Sequence, residues 1–362
     1  MTGPSIGTVY LARQADGLAA LDRFASSYRL HPAGIAHDLI VVYKGFARPI
    51  SLQTARAVFQ DIPHIGIELA DVGFDIGSYL ETSRRVSHDY LLFLNTHSEI
   101  VAHGWLASLA GQALRKGVGI VGAMGSYESI QDTAELLKTV IWSCIGLGRS
   151  YDEKIAFYFD FVLRQHHPGW YAPSGLVVPP TARKRGLLAN LAITIARVMR
   201  YPWFVSNGTA LIWPGAQPFD IKQFPRFPNP HIRSNGFMLR RDLLLSLRVS
   251  PTATKIDANL FESGALSLTQ KLRRTGLSAI VVGKDGRGYD VPDWWRSGTF
   301  RLGDQGNLLI ADNHTRAFAM MSDGARVAHA RMTWGDYLGP APQDFPDFGF
   351  GFEKAPSLLA AN

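Results

Sequence analysis

The sequence predicts an α/β fold: a mainly parallel sheet with helices on both faces and a central, mostly helical or irregular insertion. Short apolar runs alternate with amphipathic segments of helix length, the pattern of a parallel sheet covered on both sides. The 362 residues are 46% hydrophobic and 19% charged, enough apolar material for a large core. Residues 161–218 hold no Asp or Glu, yet carry Arg164, Arg183, Lys184, Arg185, Arg197 and Arg200. So local an asymmetry marks one face or one insertion.

Thr8-Val9-Tyr10-Leu11-Ala12 reads as the first strand, followed by a helix with Leu18, Leu21, Ala25 and Tyr28 at helical spacing. The apolar run 38–43 ends at Lys44-Gly45 as the second strand; Leu52, Ala55 and Phe59 mark a helix, and 64–69 a third strand. Residues 79–86 read as helix and 90–94 as the fourth strand. Trp105, Leu106, Leu109 and Ala113 then share a helix face that closes at Lys116-Gly117, with basic charge and glycine at the helix end. Residues 118–122 form a fifth strand. The glycines at 117, 119 and 122 match G-x-G-x-x-G, but that fingerprint needs a strand before it and a helix opening at its end. Here a helix precedes and the glycines sit within the strand, so no dinucleotide site follows.

Periodicity weakens over 126–230, rich in Trp, Tyr, Phe, Pro and basic side chains; inside it, 186–201 reads as an amphipathic helix. Order returns with a strand at 234–239 leading into 240–248. Next comes a helix that starts at Phe261-Glu262-Ser263-Gly264 and runs through Leu268 and Leu272 to Arg274, then a strand at 279–282. The organisation expected is one domain in two halves, 1–125 and 231–345, around the insertion 126–230, with an irregular tail at 346–362.

The single Cys144 excludes a disulfide framework and a cysteine zinc site, and fits a reducing compartment. With no basic-then-apolar leader and no apolar run near the ~20 residues a bilayer requires, the sequence predicts a cytoplasmic chain. A net charge of +7 and a pI near 9.5 call for an anionic partner. The basic residues are not interleaved through a nucleic-acid-binding module, so no nucleic acid is expected. His166-His167 is read as structural, since adjacent side chains diverge and no third ligand is in view. The helix at 186–201, with Arg183-Lys184-Arg185 before it and Tyr201-Pro202-Trp203-Phe204 after it, has two readings. It either docks on an anionic membrane surface, at the inner face of the cell membrane, or packs on the protein's own core.

The stretch most informative about chemistry is 87–100, a buried strand that runs into the polar cluster Asn95-Thr96-His97-Ser98-Glu99. The carboxyl end of a strand is where an α/β sheet presents ligand-binding side chains. Phe93 to Ile100, followed by Gly104-Trp105-Leu106, resembles the apolar strand and Asp-x-Asp cluster of GT-A-fold glycosyltransferases, closest to family 2. Here Asn95-Thr96-His97 stands in place of the acids. Further resemblance lies in Asp71-Val72-Gly73-Phe74-Asp75-Ile76-Gly77-Ser78-Tyr79, similar to the turn over the nucleoside in rhamnan-synthesis-type members. Gly119-Ile120-Val121-Gly122 is similar to the strand that follows the cluster, residues 229–241 to the acceptor-facing element, and Phe261-Glu262-Ser263-Gly264 to the helix start that supplies the base.

This resemblance implies a GT-A-like (Rossmann-like) fold. It implies transfer of a sugar, with inversion, from a nucleotide-sugar donor to a glycan or lipid-linked acceptor in cell-surface polysaccharide synthesis. Glycosyl transfer needs a base for the acceptor hydroxyl and positive charge for the departing diphosphate. Glu262 is the implied base, its charge favoured by a helix start, and Asp257 the reserve. Donor contacts are expected from Ala12, Lys44, Asp75, Asn95, His97, Arg233, His314 and Arg316, with Asp71 beside Asp75. Asp312 to Arg316 is expected to be a polar strand end closing over the site. Tyr127, Trp294 and Trp295 are candidates for stacking on sugar rings or for the core. Asn95 and His97 are the candidate metal ligands, a weak pair for magnesium, because hard cations prefer carboxylate oxygens, though acceptable for a transition metal. The expectation is therefore a metal-independent enzyme, or Mg²⁺ or Mn²⁺ bound chiefly through the donor diphosphate. The missing Asp-x-Asp also supports an alternative, a catalytically silent relative that binds a glycan or a protein partner.

Overall fold

The computed structural model describes residues 3–133, 219–247, 249, 252–321 and 323–339, with two-residue strands at 205–206 and 209–210. The expected helix at 186–201, the His166-His167 pair, the basic run between 161 and 204 and the tail after 344 lie outside the described residues.

The chain divides into two units, one built from 1–128 and 229–339 and one from 129–228 and 340–360. In the first, an eight-stranded sheet forms from β1 (Ile6–Arg13), β2 (Asp38–Lys44), β3 (Ile65–Leu69), β4 (Tyr90–Leu94), β6 (Val118–Gly122), β9 (Phe237–Arg240), β10 (Ser278–Val282) and β11 (Gly288–Tyr289). Three two-residue strands lie outside this sheet: β5 (Glu99–Ile100), β7 (Gly125–Ser126) and β8 (His231–Ile232). The strand order is β11-β10-β6-β9-β4-β1-β2-β3, with β9 and β11 antiparallel to the six others. The mainly parallel α/β sheet expected from the sequence is present.

Continuous apolar strands mean burial on both faces. β1 is buried along seven of its eight residues, between β2 and β4. On one side Tyr10 stacks on Phe24 of α1 (Leu18–Leu30), with ring centroids 3.6 Å apart, and Phe59 tilts against both. Burying one such ring stabilises by about 1.5–3 kcal/mol. α2 (Pro49–Ala57), α3 (Phe74–Arg85) and α4 (Trp105–Ala113) supply further cover, and α4 buries Trp105, Leu106 and Leu109. The glycines of β6 answer to packing: a Cβ at Gly122 would lie 2.5 Å from Ile232, and one at Gly119 would lie 2.8 Å from Leu277. The dinucleotide reading of this run stays excluded.

Register fixes what reaches the carboxyl edge of the sheet. Arg13 pairs with Lys44 at the ends of β1 and β2, and Tyr10 pairs with Leu94 at the end of β4. β9 enters antiparallel with Phe237 opposite Phe93, so the residues just before it lie at that same edge. β12 (Ile310–Ala311) pairs antiparallel with β5 and delivers α8 (Asn313–Ala319) beside the end of β4.

Several local expectations need correction. The third helix starts at Phe74, five residues before Tyr79, because Gly73 takes a left-handed conformation (φ 74°) that turns the chain into it. The strand expected at 234–239 is shorter and begins at Phe237, with helix α5 (Arg241–Ser246) after it. Glu262 does not start a helix: it lies in the last turn of α6 (Lys255–Ser263), and α7 (Leu268–Arg274) is a separate helix capped by Ser267. Asp312 is not a strand end over the site but the N-cap of α8, in a reciprocal capping box with Thr315. Tyr127 and Trp294 are buried and stack on each other with centroids 6.1 Å apart, so neither faces a ligand; Trp295, half-buried, lies under Arg296. Helix α9 (Asp323–Trp334) closes the first unit.

In the second unit the described residues include an antiparallel sheet of 205–206, 209–210 and 219–220. Asp132 there accepts from Arg226 Nη1 at 2.5 Å and from the Phe227 amide at 2.6 Å. No helix among the described residues is long and apolar enough to cross a membrane.

Candidate functional site

Three groups of polar residues meet at the carboxyl edge of the sheet in the first unit. The first sits at the ends of β1 and β2. Arg13 Nε and Nη2 grip Asp71 at 3.0 and 2.9 Å. Lys44, fully buried, donates from Nζ to the Phe74 carbonyl at 2.5 Å and lies 3.7 Å from Asp71. Burial lowers the Lys44 ammonium, while the Arg13 hydrogen bond holds the Asp71 carboxyl below its usual range. Together they fix a bend in which Gly73 and Phe74 both have positive φ, 74° and 50°. For Phe74 that conformation is strained by about 1–3 kcal/mol. The bend places Asp75 in the first turn of α3, half-buried, with no hydrogen bond from a described residue. Desolvation raises its carboxyl above the usual value, opposed by Lys255 and Lys44. Thr252 Oγ1 donates to the Gly73 carbonyl at 2.7 Å and ties the bend to the approach to α6.

The second group is the corner after β4. Asn95 Oδ1 accepts the His97 amide at 2.9 Å and lies 3.4 Å from Ser98 Oγ, a local Asx-type turn. Asn235 Oδ1 accepts the Asn95 amide at 3.0 Å and Ser98 Oγ at 2.7 Å. Arg316 donates to the His97 carbonyl from both Nη atoms at 3.2 Å and to Glu99 at 3.0 Å. The His97 ring, about a third exposed, has Nε2 3.9 Å from Asp16.

The third group surrounds Glu262. Arg233 Nη1 donates to Oε1 at 2.6 Å and the Ser234 amide to Oε2 at 2.7 Å. Burial opposes ionisation of Glu262, but Arg233, His231 and Ser234 outweigh it and hold the carboxyl at about 2. The Arg233 guanidinium lies over Phe300, 5.3 Å from the ring centroid; Arg301 lies over the same ring at 4.7 Å and pairs with buried Glu128 at 3.1 Å. Arg301 has a left-handed backbone (φ 47°), held by the Gln305 side chain, which accepts its amide at 3.0 Å and donates to the Thr315 carbonyl at 3.0 Å. His314, half-buried, makes no hydrogen bond to a described residue. Desolvation, with Arg233 and Arg301 reinforcing it and Asp312 and Glu262 opposing, lowers its imidazole to about 4. His314 is therefore neutral at physiological pH.

The groups are joined. Asn235 holds the Asn95 corner, and its neighbour Ser234 holds Glu262. The Tyr79 phenol is buried without a hydrogen-bond partner, and desolvation, then the charges of Asp75 and Glu262, push it well above its usual range. Tyr79 Oη, Arg233 Nε and Asn235 Nδ2, buried along this edge, have no hydrogen-bond partner among the described residues. Buried groups left so are rare.

The sequence-derived residues fall into two sets. Lys44, Asp75, Asn95, His97, Arg233, Glu262, His314 and Arg316 lie along the edge just described. Ala12 is buried in the core of β1, and Asp257 caps α6, accepting from the Thr254 amide at 2.7 Å. The cations expected for a diphosphate already have partners: Lys44 has Phe74 and Asp71, Arg233 has Glu262, and Arg316 has Glu99. Asn95 Oδ1 already accepts the His97 amide, and among the described residues no group of three or more His, Cys, Asp or Glu is arranged to hold a metal. Sequence reasoning missed Arg13, Glu128 and Arg301. Arg13 was findable, as a polar residue at a strand's carboxyl end; the Arg301–Glu128 pair spans 173 positions and has no local signature.

Fold and site together define an α/β protein with charged and polar side chains gathered at the carboxyl edge of its sheet. No protein-family model matches the chain, and no curated protein does. Among solved structures the chain is similar to the mannosyltransferase PcManGT from Pyrobaculum calidifontis, in complex with GDP-Man and Mn2+. The identity is 11%, the match covers 38% of this chain and 39% of that one, and the TM-score is 0.28.

Proposed function

We propose that this edge binds a nucleotide-sugar donor and transfers its sugar to a hydroxyl of a glycan or lipid-linked acceptor. The observation that carries the reading is the meeting of two carboxylates at one sheet edge. Asp75, with no described partner, suits N–H or O–H donors of a nucleoside; Glu262, ionised at neutral pH, is the carboxylate at this edge assigned to the acceptor hydroxyl's proton. In an inverting single displacement the acceptor oxygen attacks the anomeric carbon. The bond from that carbon to the phosphate oxygen breaks, its electron pair leaving with the diphosphate, and the hydroxyl proton passes to Glu262. Arg233 is the cation assigned to the negative charge that develops on the diphosphate. No step is assigned to a metal. A peripheral position at the inner membrane face, with a lipid-linked acceptor, rests on the basic and aromatic sequence between 161 and 204 alone.

One observation favours a second reading. The amide of Asn95 and the cations of this edge are all engaged within the protein, as suits a silent relative that binds a glycan or a protein partner. Incubation with UDP-, GDP- and dTDP-sugars separates the two. Slow release of free sugar from one donor supports the transferase; no binding to any nucleotide supports the silent relative.

A further inference from the structure

Arg233 is held by Glu262 but is not saturated by it. Among the described residues only Glu262 accepts from its guanidinium, through Nη1, and its Nε–H is buried without an acceptor. It is also a reachable cation; Arg13 is more exposed, at 38%, but commits Nε and Nη2 to Asp71. The Arg233 side chain is 17% exposed and that of Glu262 14%, whereas Lys44 and Arg301 are 1% and 4% exposed and pinned by Asp71 and Glu128. Arg316 is more exposed but spends both Nη atoms on Glu99 and the His97 carbonyl. An anion at this edge thus meets in Arg233 a guanidinium with spare donors, and that guanidinium occupies the oxygen of Glu262 that a hydroxyl would need.

We propose that Arg233 is a charge-operated gate: the ligand's diphosphate draws its guanidinium away from Glu262, freeing Oε1 to accept the acceptor hydroxyl's proton. The inference rests on the nucleotide-sugar reading of the same site. It also resolves a chemical difficulty. A carboxylate whose oxygens are both hydrogen-bonded, beside Arg233, is a poor proton acceptor, because an efficient general base titrates near the working pH. Once Arg233 turns to the diphosphate, the strongest influence keeping Glu262 acidic is gone, while the Ser234 amide still orients it. Among the described residues the titratable groups facing this pair are His231, Glu128, Asp312, Arg301, His314 and Tyr79. The diphosphate would neutralise Arg233 without displacing Arg301 from Glu128. The base therefore becomes competent only when a donor is present.

The test is calorimetric titration of UDP, GDP and dTDP into the wild-type protein, Glu262→Gln, Arg233→Lys and Arg233→Met. The nucleotide that binds is expected to bind Glu262→Gln about fivefold more tightly than wild type and Arg233→Met about tenfold more weakly, with Arg233→Lys between. The matching nucleoside, which lacks phosphates, is expected to bind wild type and Glu262→Gln equally. Should Glu262→Gln fail to fold, a co-crystal of the wild-type protein decides: Arg233 Nη1 is expected on a phosphate oxygen and beyond hydrogen-bond distance of Glu262. Equal or weaker diphosphate binding by Glu262→Gln, or Arg233 still on Glu262 beside a bound diphosphate, overturns the gate alone. No binding of any of the three nucleotides overturns the gate and the nucleotide-sugar reading together.

Discussion

Arg233 Nη1 lies 2.6 Å from Glu262 Oε1, and this contact, not a helix start, keeps the glutamate charged. At the last turn of α6 the helix dipole disfavours a carboxylate. The charge survives because a guanidinium, a histidine and a backbone amide converge on it.

That arrangement has a pH signature. The Glu262 carboxyl is held at about 2 against an ordinary 4.5, so its contribution is fully present above 4.5 and is lost as pH falls through about 2. Its size is about 3 kcal/mol. Glu262→Gln also leaves Arg233 half-buried without its partner. Urea unfolding at pH 6 is expected to find this variant less stable by about 3 kcal/mol, with the deficit shrinking toward pH 2.5. A deficit independent of pH would contradict the assignment.

His314 gives a second window. Its imidazole is lowered from 6.5 to about 4, so between those values the unfolded chain binds more protons than the folded one. Stability from this group is present above 6.5 and lost as pH drops toward 4. Replacing it in His314→Gln is expected to flatten the stability profile over that range, read by urea midpoints at half-unit steps. An unchanged slope would mean that the ring is not desolvated.

Lys44 holds the bend that carries Asp75. Lys44→Met leaves the Arg13–Asp71 pair intact but removes the ammonium from the Phe74 carbonyl. Nucleoside affinity is expected to fall about tenfold, equivalent to about 1.4 kcal/mol, in calorimetric titration. Unaltered affinity would remove the 71–75 bend from the binding site.

The glycines of the sheet and its covering helices are separable by packing. Gly122→Ala drives a methyl to 2.5 Å from Ile232 and is expected to cost about 1–3 kcal/mol in urea unfolding. Gly111→Ala, in α4 with nothing within 4 Å of the added carbon, is expected to stabilise by about 0.5–1 kcal/mol. Equal effects at the two positions would contradict this account of β6.

The sheet was legible because β1, β2, β4 and β6 are continuous apolar runs with helix-length spacers between them, a signal set by burial itself. The start of α6 was misread although its marker was present. Thr254-Lys255-Ile256-Asp257 is a capping pattern, and Thr254 and Asp257 do bond each other reciprocally, which starts the helix seven residues before Glu262. The same pattern at Asp312 and Thr315 sets α8. Tyr127 and Trp294 illustrate what a sequence withholds: whether an aromatic faces a sugar or another aromatic depends on a partner 167 positions away. The network of Arg233, Phe300, Arg301 and Glu128 is equally non-local. Lys44 and Asn95 were legible as edge residues from their place at strand ends. Their engagement with Phe74 and His97 was not, because it depends on the path of the following loop.

Free-sugar release from UDP-, GDP- and dTDP-sugars, measured for the wild-type protein and Glu262→Gln side by side, tests whether Glu262 is the base. The account predicts release from one donor class by the wild type, and a loss of about a hundredfold or more in the variant, in keeping with removal of a general base. No release from any donor by the wild type, or equal rates in the two proteins, would contradict it.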